Sequence, residues 1–102
     1  MKVVLSRRVK AELASHFEYG VGEFGRPVAE RTFARVTHMI ERVLPAHPES
    51  GTYSADRDIF ERVVPNTPFV IFYRLHSNPR GDRHITVTAF FNFSQDRDSF
   101  EG

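Results

Sequence analysis

The sequence predicts an α+β domain. An N-terminal strand and an antiparallel helical hairpin pack on one face of a small antiparallel sheet, in the order β-α-α-β-β-β. Two observations carry this. Ala29, Phe33, Val36, Ile40 and Val43 recur at intervals of four, three, four and three, the stripe of an amphipathic helix. Between residues 57 and 93, two runs rich in β-branched and aromatic residues flank the polar Ser77-Asn78-Pro79-Arg80-Gly81-Asp82, which reads as strand, turn and strand. Placing His76 opposite His84 sets Leu75 against Ile85, Tyr73 against Val87, Ile71 against Ala89 and Phe69 against Phe91. Alternation then puts all of these on one apolar face that must be covered. The other face carries Arg74, His76, His84, Thr86 and Thr88 near the turn, with Val70, Phe72 and Phe90 at the far end. It is mixed, and it is the face free to meet a partner.

The elements follow in order. Lys2 to Leu5 is a short strand. Ser6 is placed to cap a helix, because its hydroxyl can accept from a free amide of the first turn. That helix runs from about Arg7 to about Val21, with Val9, Leu13 and Phe17 spaced by four. Gly20, Gly22 and Gly25 are expected to end it. Pro27 suits the first turn of a second helix, which closes at Leu44-Pro45. The short link at 22–26 makes the two helices antiparallel neighbours whose stripes cover the sheet. Residues 45–56 read as a loop, with two prolines, a glycine and small polar residues. A strand follows from Arg57 to Val64. Ile59, Glu61 and Val63 share one side of it and Phe60, Arg62 and Val64 the other, and the pattern does not decide which is inward. Pro65-Asn66-Thr67-Pro68 turns into the central strand. After Phe93 the chain is polar, and only Phe100 there could dock.

Composition narrows the chemistry. A chain of 102 residues with 40% hydrophobic content fits one domain, residues 1–102, with a compact core. Net charge is +1, so overall charge names no partner. Without cysteine, disulfides, thiolate catalysis and cysteine-ligated zinc are excluded. No apolar run approaches the roughly 20 residues of a membrane span. The opening Met-Lys-Val-Val-Leu-Ser-Arg-Arg is too short in apolar residues for a signal peptide. The expected location is the cytoplasm, with no membrane partner.

No catalytic motif is present. Gly20-Val21-Gly22-Glu23-Phe24-Gly25 matches the dinucleotide fingerprint in letters, but it follows a helix rather than a strand, so it reads as the helix–helix turn. His76 and His84 could face each other, yet no third metal ligand is evident, and no metal or cofactor is expected. What remains is a basic cluster. Arg74, His76 and His84 lie on the mixed face, Arg57 and Arg62 can join from the neighbouring strand, and Arg97 follows the last strand. Twelve of the fourteen basic residues are arginine, whose planar fork suits carboxylates, phosphates and protein interfaces.

On particular stretches the chain resembles the RelE/ParE superfamily of bacterial type II toxins, on the ParE side. These are Val3-Val4-Leu5-Ser6 before a helix with Ala11, Leu13 and Tyr19; the helix from Ala29 ending in Leu44-Pro45, with Pro48 and Gly51 beyond; and Val63-Val64-Pro65-Asn66-Thr67-Pro68-Phe69-Val70-Ile71-Phe72-Tyr73-Arg74. The resemblance spans roughly residues 2–98. It implies a toxin neutralised by a cognate antitoxin whose C-terminal segment wraps it. Expected contacts of that segment on the hairpin are Phe17, Phe24, Arg31 and Arg35. ParE-like members poison DNA gyrase, whereas RelE-like members cut mRNA on the ribosome; a third reading is a member of the same fold that has lost toxicity and only binds its antitoxin. Such chains often carry an arginine early in the strand before the Pro-Phe run, where this one has Arg57 and Arg62. They often end in Val-Leu-His-x-x-Arg-Asp, of which Arg97-Asp98 is kept and Ser94 replaces the histidine. The expected target-binding set is Arg57, Arg62, Arg74, His76, His84 and Arg97. Gyrase is favoured over the ribosome because an RNA-cleaving site without metal needs an acid and a base. Arginine is a poor proton carrier, and alternation buries Tyr73.

Overall fold

Ser6 opens the first helix as its sequence suggests: its hydroxyl accepts from the Val9 amide at 3.1 Å. In the computed structural model, which describes residues 1–93, β1 (Lys2–Leu5) leads into α1 (Arg7–Phe24), α2 (Arg26–His38), a π turn (Met39–Val43) and α3 (Leu44–Ala46). Strands β2 (Thr52–Ser54), β3 (Ile59–Val63), β4 (Phe69–Ser77) and β5 (Arg83–Asn92) follow. The sheet has five strands in the order β1-β5-β4-β3-β2. All neighbours are antiparallel except β1, which runs parallel to β5 with Lys2 against His84 and Leu5 against Val87. The architecture is α+β, and that one parallel pair makes the sheet mixed.

The helices differ from expectation at their ends. Gly20 and Gly22 stay inside α1, and the link to α2 is the single residue Gly25, at φ 88°. A left-handed residue turns the chain here with no loop at all. Gly20 also lets the hairpin close tightly, since a Cβ there would lie 3.6 Å from the Ala29 side chain. At the far end the helix runs through a π turn and on past Leu44 to Ala46, and the Leu44 amide reaches back to the Met39 carbonyl. Pro45 supplies the reason. It has no amide to donate and its ring crowds the carbonyl four residues back, and a widened turn relieves both.

The core lies between the helices and one sheet face. Val9, Val36, Met39, Ile40 and Leu44 meet Val64, Phe69, Ile71, Tyr73, Ile85, Val87 and Phe90. The pairing of β4 with β5 begins as predicted, with His76 opposite His84, Leu75 opposite Ile85 and Tyr73 opposite Val87. A β-bulge then intervenes: Phe72 pairs with Ala89 while Tyr73 pairs with Val87, so Thr88 has no register partner. Its hydroxyl donates to the Phe72 carbonyl at 3.3 Å. One extra residue reverses every later side chain of β5. Ile71 therefore pairs with Phe90, and Phe69 with Asn92, not with Ala89 and Phe91. Phe90 is a core residue at 1% exposure and stacks on Phe69 at 4.7 Å. Phe91 instead meets Phe72 edge-on on the outer face.

In β3 the inward side is the one carrying Phe60, Arg62 and Val64. Phe60 stacks on Tyr73 at 5.1 Å, and Val64 is fully buried. Tyr73 ties this layer to the loop before β2. Its hydroxyl donates to the Pro48 carbonyl at 2.9 Å and accepts from the Gly51 amide at 3.2 Å. Burial pushes the phenol above its ordinary range, against the Gly51 hydrogen bond and the nearby Arg62 charge, which pull it down. Tyr73→Phe is expected to lower stability by about 1–2 kcal/mol, because it strands a partly buried amide and carbonyl. The pH dependence has a definite sign. The folded state holds the phenolic proton more tightly than the unfolded chain, so this stability is present below about pH 10 and is lost as pH rises through the folded pKa. Urea unfolding from pH 8 to 11 should show a steeper alkaline loss in the wild type than in Tyr73→Phe.

Candidate functional site

Three surfaces stand out, and the first is the outer face of β4 and β5. Arg74 pairs across the ladder with Thr86, and His76 with His84. The two imidazoles stack at 4.7 Å with 21° between their planes. Alternation in a strand brings Arg74 and His76 to one side, and the bulge leaves this part of the register untouched. Arg57, in the turn between β2 and β3, joins from the rim through its carbonyl, which accepts from an Arg74 guanidinium nitrogen at 3.4 Å. Four of the six predicted target-facing residues, Arg57, Arg74, His76 and His84, are thus neighbours. Arg62 is on the opposite side of the sheet, because β3 turns its Phe60–Arg62–Val64 side to the helices. Arg97 lies outside the described residues, as does Phe100. Among the described residues no three His, Cys, Asp or Glu side chains converge as metal ligands, and no helix is long and apolar enough to cross a membrane.

The second surface is an apolar groove of about 500 Å3 where the closed end of the helical hairpin overhangs the start of β4 and the end of β5. His16, Tyr19, Phe24, Val28, Phe33 and Phe69 line it. Phe24 is 67% exposed and Tyr19 49%. Large exposed aromatics grouped around one groove are unusual on a surface with no partner. Of the residues expected to face an antitoxin, Phe24 is at the lip of this groove. Phe17 sits behind it, edge-on to Phe33 at 5.5 Å, with the Arg26 guanidinium 5.8 Å above its ring. Tyr19 and Val28 escape a periodicity reading because they flank the buried stripe. The signal available for them is their size beside so many glycines, where little else can cover them.

The third surface is a cleft of about 480 Å3 between α2, the π turn and the turn from β3 to β4. Arg35, His38 and Arg62 meet there with Met39, Val64 and Asn66. Arg31 is exposed on α2 and lines neither recess.

Comparison with known proteins supplies independent findings. The family described as ParE toxin of type II toxin-antitoxin system, parDE, matches residues 3–97. No curated protein matches the chain in sequence. Among solved structures, the chain is similar to one titled "Chromosomal ParDE TA system from P. aeruginosa", with a TM-score of 0.67 and 16% identity. That match covers 90% of this chain and 95% of the other. At this identity the likeness is one of fold.

Proposed function

The chain belongs to the family of ParE toxins of type II toxin–antitoxin systems, and on that premise we propose that it arrests growth by binding DNA gyrase and is neutralised by a cognate antitoxin. One observation carries the choice of target. A metal-independent ribonuclease needs an acid and a base beside the scissile phosphate. Tyr73, on the same strand as Arg74, points away from the basic outer face. It is fully buried, tied to Pro48 and Gly51, and raised in pKa by that burial. Arg57 and Arg74 supply positive charge, but a guanidinium is a poor general acid or base. That set suits a surface that grips a protein better than one that cleaves RNA. For the antitoxin, the groove at Tyr19, Phe24 and Val28 is shaped for the apolar face of a helical tail.

The stacked pair His76–His84 favours the second reading, a ribosome-dependent ribonuclease, since it sets two imidazoles side by side on the outer face near Arg74. Induction in cells, combined with purified supercoiling and translation reactions, separates the two. Gyrase poisoning predicts inhibited supercoiling and DNA damage signalling while translation continues. Early loss of translation with cleavage of ribosome-bound mRNA and normal supercoiling would overturn it.

Arg74→Ala is expected to relieve growth inhibition while costing less than about 1 kcal/mol of stability, because its one hydrogen bond is long and exposed. Full toxicity of this variant would place the working surface elsewhere.

A further inference from the structure

The cleft between α2 and β3 holds a charge that the described residues leave unanswered. Arg62 lies on the inward side of β3, opposite Ile71. Its Nε is buried and has no hydrogen-bond partner. Arg35 and His38, from successive turns of α2, line the same recess, and no Asp or Glu does. The ion pairs found elsewhere, Arg8 with Glu12 and Arg83 with Glu49, involve none of the three. A guanidinium with a buried, unmet donor is costly, and an incoming anion would relieve that cost.

We propose that this cleft is a carboxylate-binding site that takes one Asp or Glu side chain from the antitoxin's tail. The proposal rests on the reading that an antitoxin binds this chain. Arg62 is the central donor, and Arg35 and His38 close over the carboxylate from α2.

Two features select a peptide rather than a nucleic acid. The remaining lining is largely apolar, with Ala34, Met39, Val43, Val64 and Pro65 around the basic groups. That suits an acidic residue between apolar ones, whereas a phosphate backbone calls for an open row of cations. The sheet edge leads to the same occupant. β2 pairs with β3 only from Ile59 to Glu61, so Arg62 and Val63 extend past its last pair. An extended segment laid along that edge would turn every second side chain toward the helices, beside Arg62. A disordered tail can thread such an edge, whereas the surface of a large folded target cannot.

The test uses the full chain and the full-length antitoxin encoded beside it, with affinities measured by calorimetry. Arg62→Gln should weaken binding by about tenfold or more, as expected for a lost charge-assisted pair. Arg35→Gln should weaken it less. Each acid of the antitoxin's tail is then changed to its amide. One of these changes should match the loss seen with Arg62→Gln, and it should cost little more when combined with it. Losses that simply add for every acid would overturn the proposal, as would wild-type affinity of Arg62→Gln. Should Arg62→Gln fail to fold, as judged by its melting curve, the same cycle run with Arg35→Gln decides. Antitoxin binding unchanged in Arg62→Gln, together with lost RNA binding, would reassign the cleft to phosphate. A wild-type chain that does not bind the antitoxin at all would defeat the neutralisation reading itself. Tight binding without coupling would defeat only the carboxylate site.

Discussion

Val87→Asp is expected to leave no cooperatively folded protein at room temperature. Val87 is fully buried, with Tyr73 opposite it on β4 and Leu5 on β1. No basic side chain is in register with it on either strand. The substitution loses about 1.5–3 kcal/mol of apolar burial. It also buries a carboxylate with no partner, a fault that typically costs a further 3–5 kcal/mol. Together these approach the whole margin of a domain this size, about 5–15 kcal/mol. Ile71→Asp, equally buried in the neighbouring strand, should be milder, because Arg62 lies opposite it and can meet the charge. Circular dichroism melts of the pair check this. A sharp transition for Val87→Asp within a few degrees of the wild type would contradict the packing described for this layer.

Gly51→Ala should be the most damaging glycine-to-alanine change by steric contact among the described residues. A Cβ at Gly51 would sit 2.8 Å from the Glu61 carbonyl oxygen and 2.9 Å from the Tyr73 hydroxyl. Neither can retreat, since one is strand backbone and the other is locked by its own hydrogen bonds. The loop must move instead, and the hydrogen bond that the Gly51 amide donates to the Tyr73 hydroxyl breaks with it. Overpacking and a lost, partly buried hydrogen bond together should cost about 2–4 kcal/mol. Part of that cost belongs to the hydroxyl. In a Tyr73→Phe background the same methyl should cost less, by a coupling of roughly 0.5–3 kcal/mol. Urea melts of the single and double variants measure it. A Gly51→Ala protein within about 0.5 kcal/mol of wild type would show that the loop packs more loosely than described.

Much of this was readable from residues alone, for reasons specific to each element. The four-three spacing of α2 admits only one buried stripe, and the polar turn at 77–82 pins His76 opposite His84. The bulge at Thr88 was not readable. Ala89, Phe90 and Phe91 are all apolar, so either parity of β5 gives an acceptable core, and only the packing of Phe90 on Phe69 selects one. The facing of β3 was undecided for a similar reason, since Ile59 and Val63 compete with Phe60 and Val64. Arg62 follows from that choice and so moves from the outer face to the cleft. β2 is three polar residues at a sheet edge, within a stretch whose prolines and glycine signal only a loop. Of the candidate site, Arg74 and the histidine pair follow from strand alternation. The apolar groove needed three dimensions, because Tyr19 and Val28 come from different helices and face Phe69 from a third element.

The parallel pairing of β1 with β5 has a bearing on how the protein comes into being. β1 waits for β5, because Lys2 meets His84 and Leu5 meets Val87. Contacts so distant in sequence close late and slow the search for the native state. At translation rates of about 5–20 residues per second, the sheet must wait several seconds for β5 to follow β1 from the ribosome. A growing chain therefore carries an unfinished outer face throughout its own synthesis.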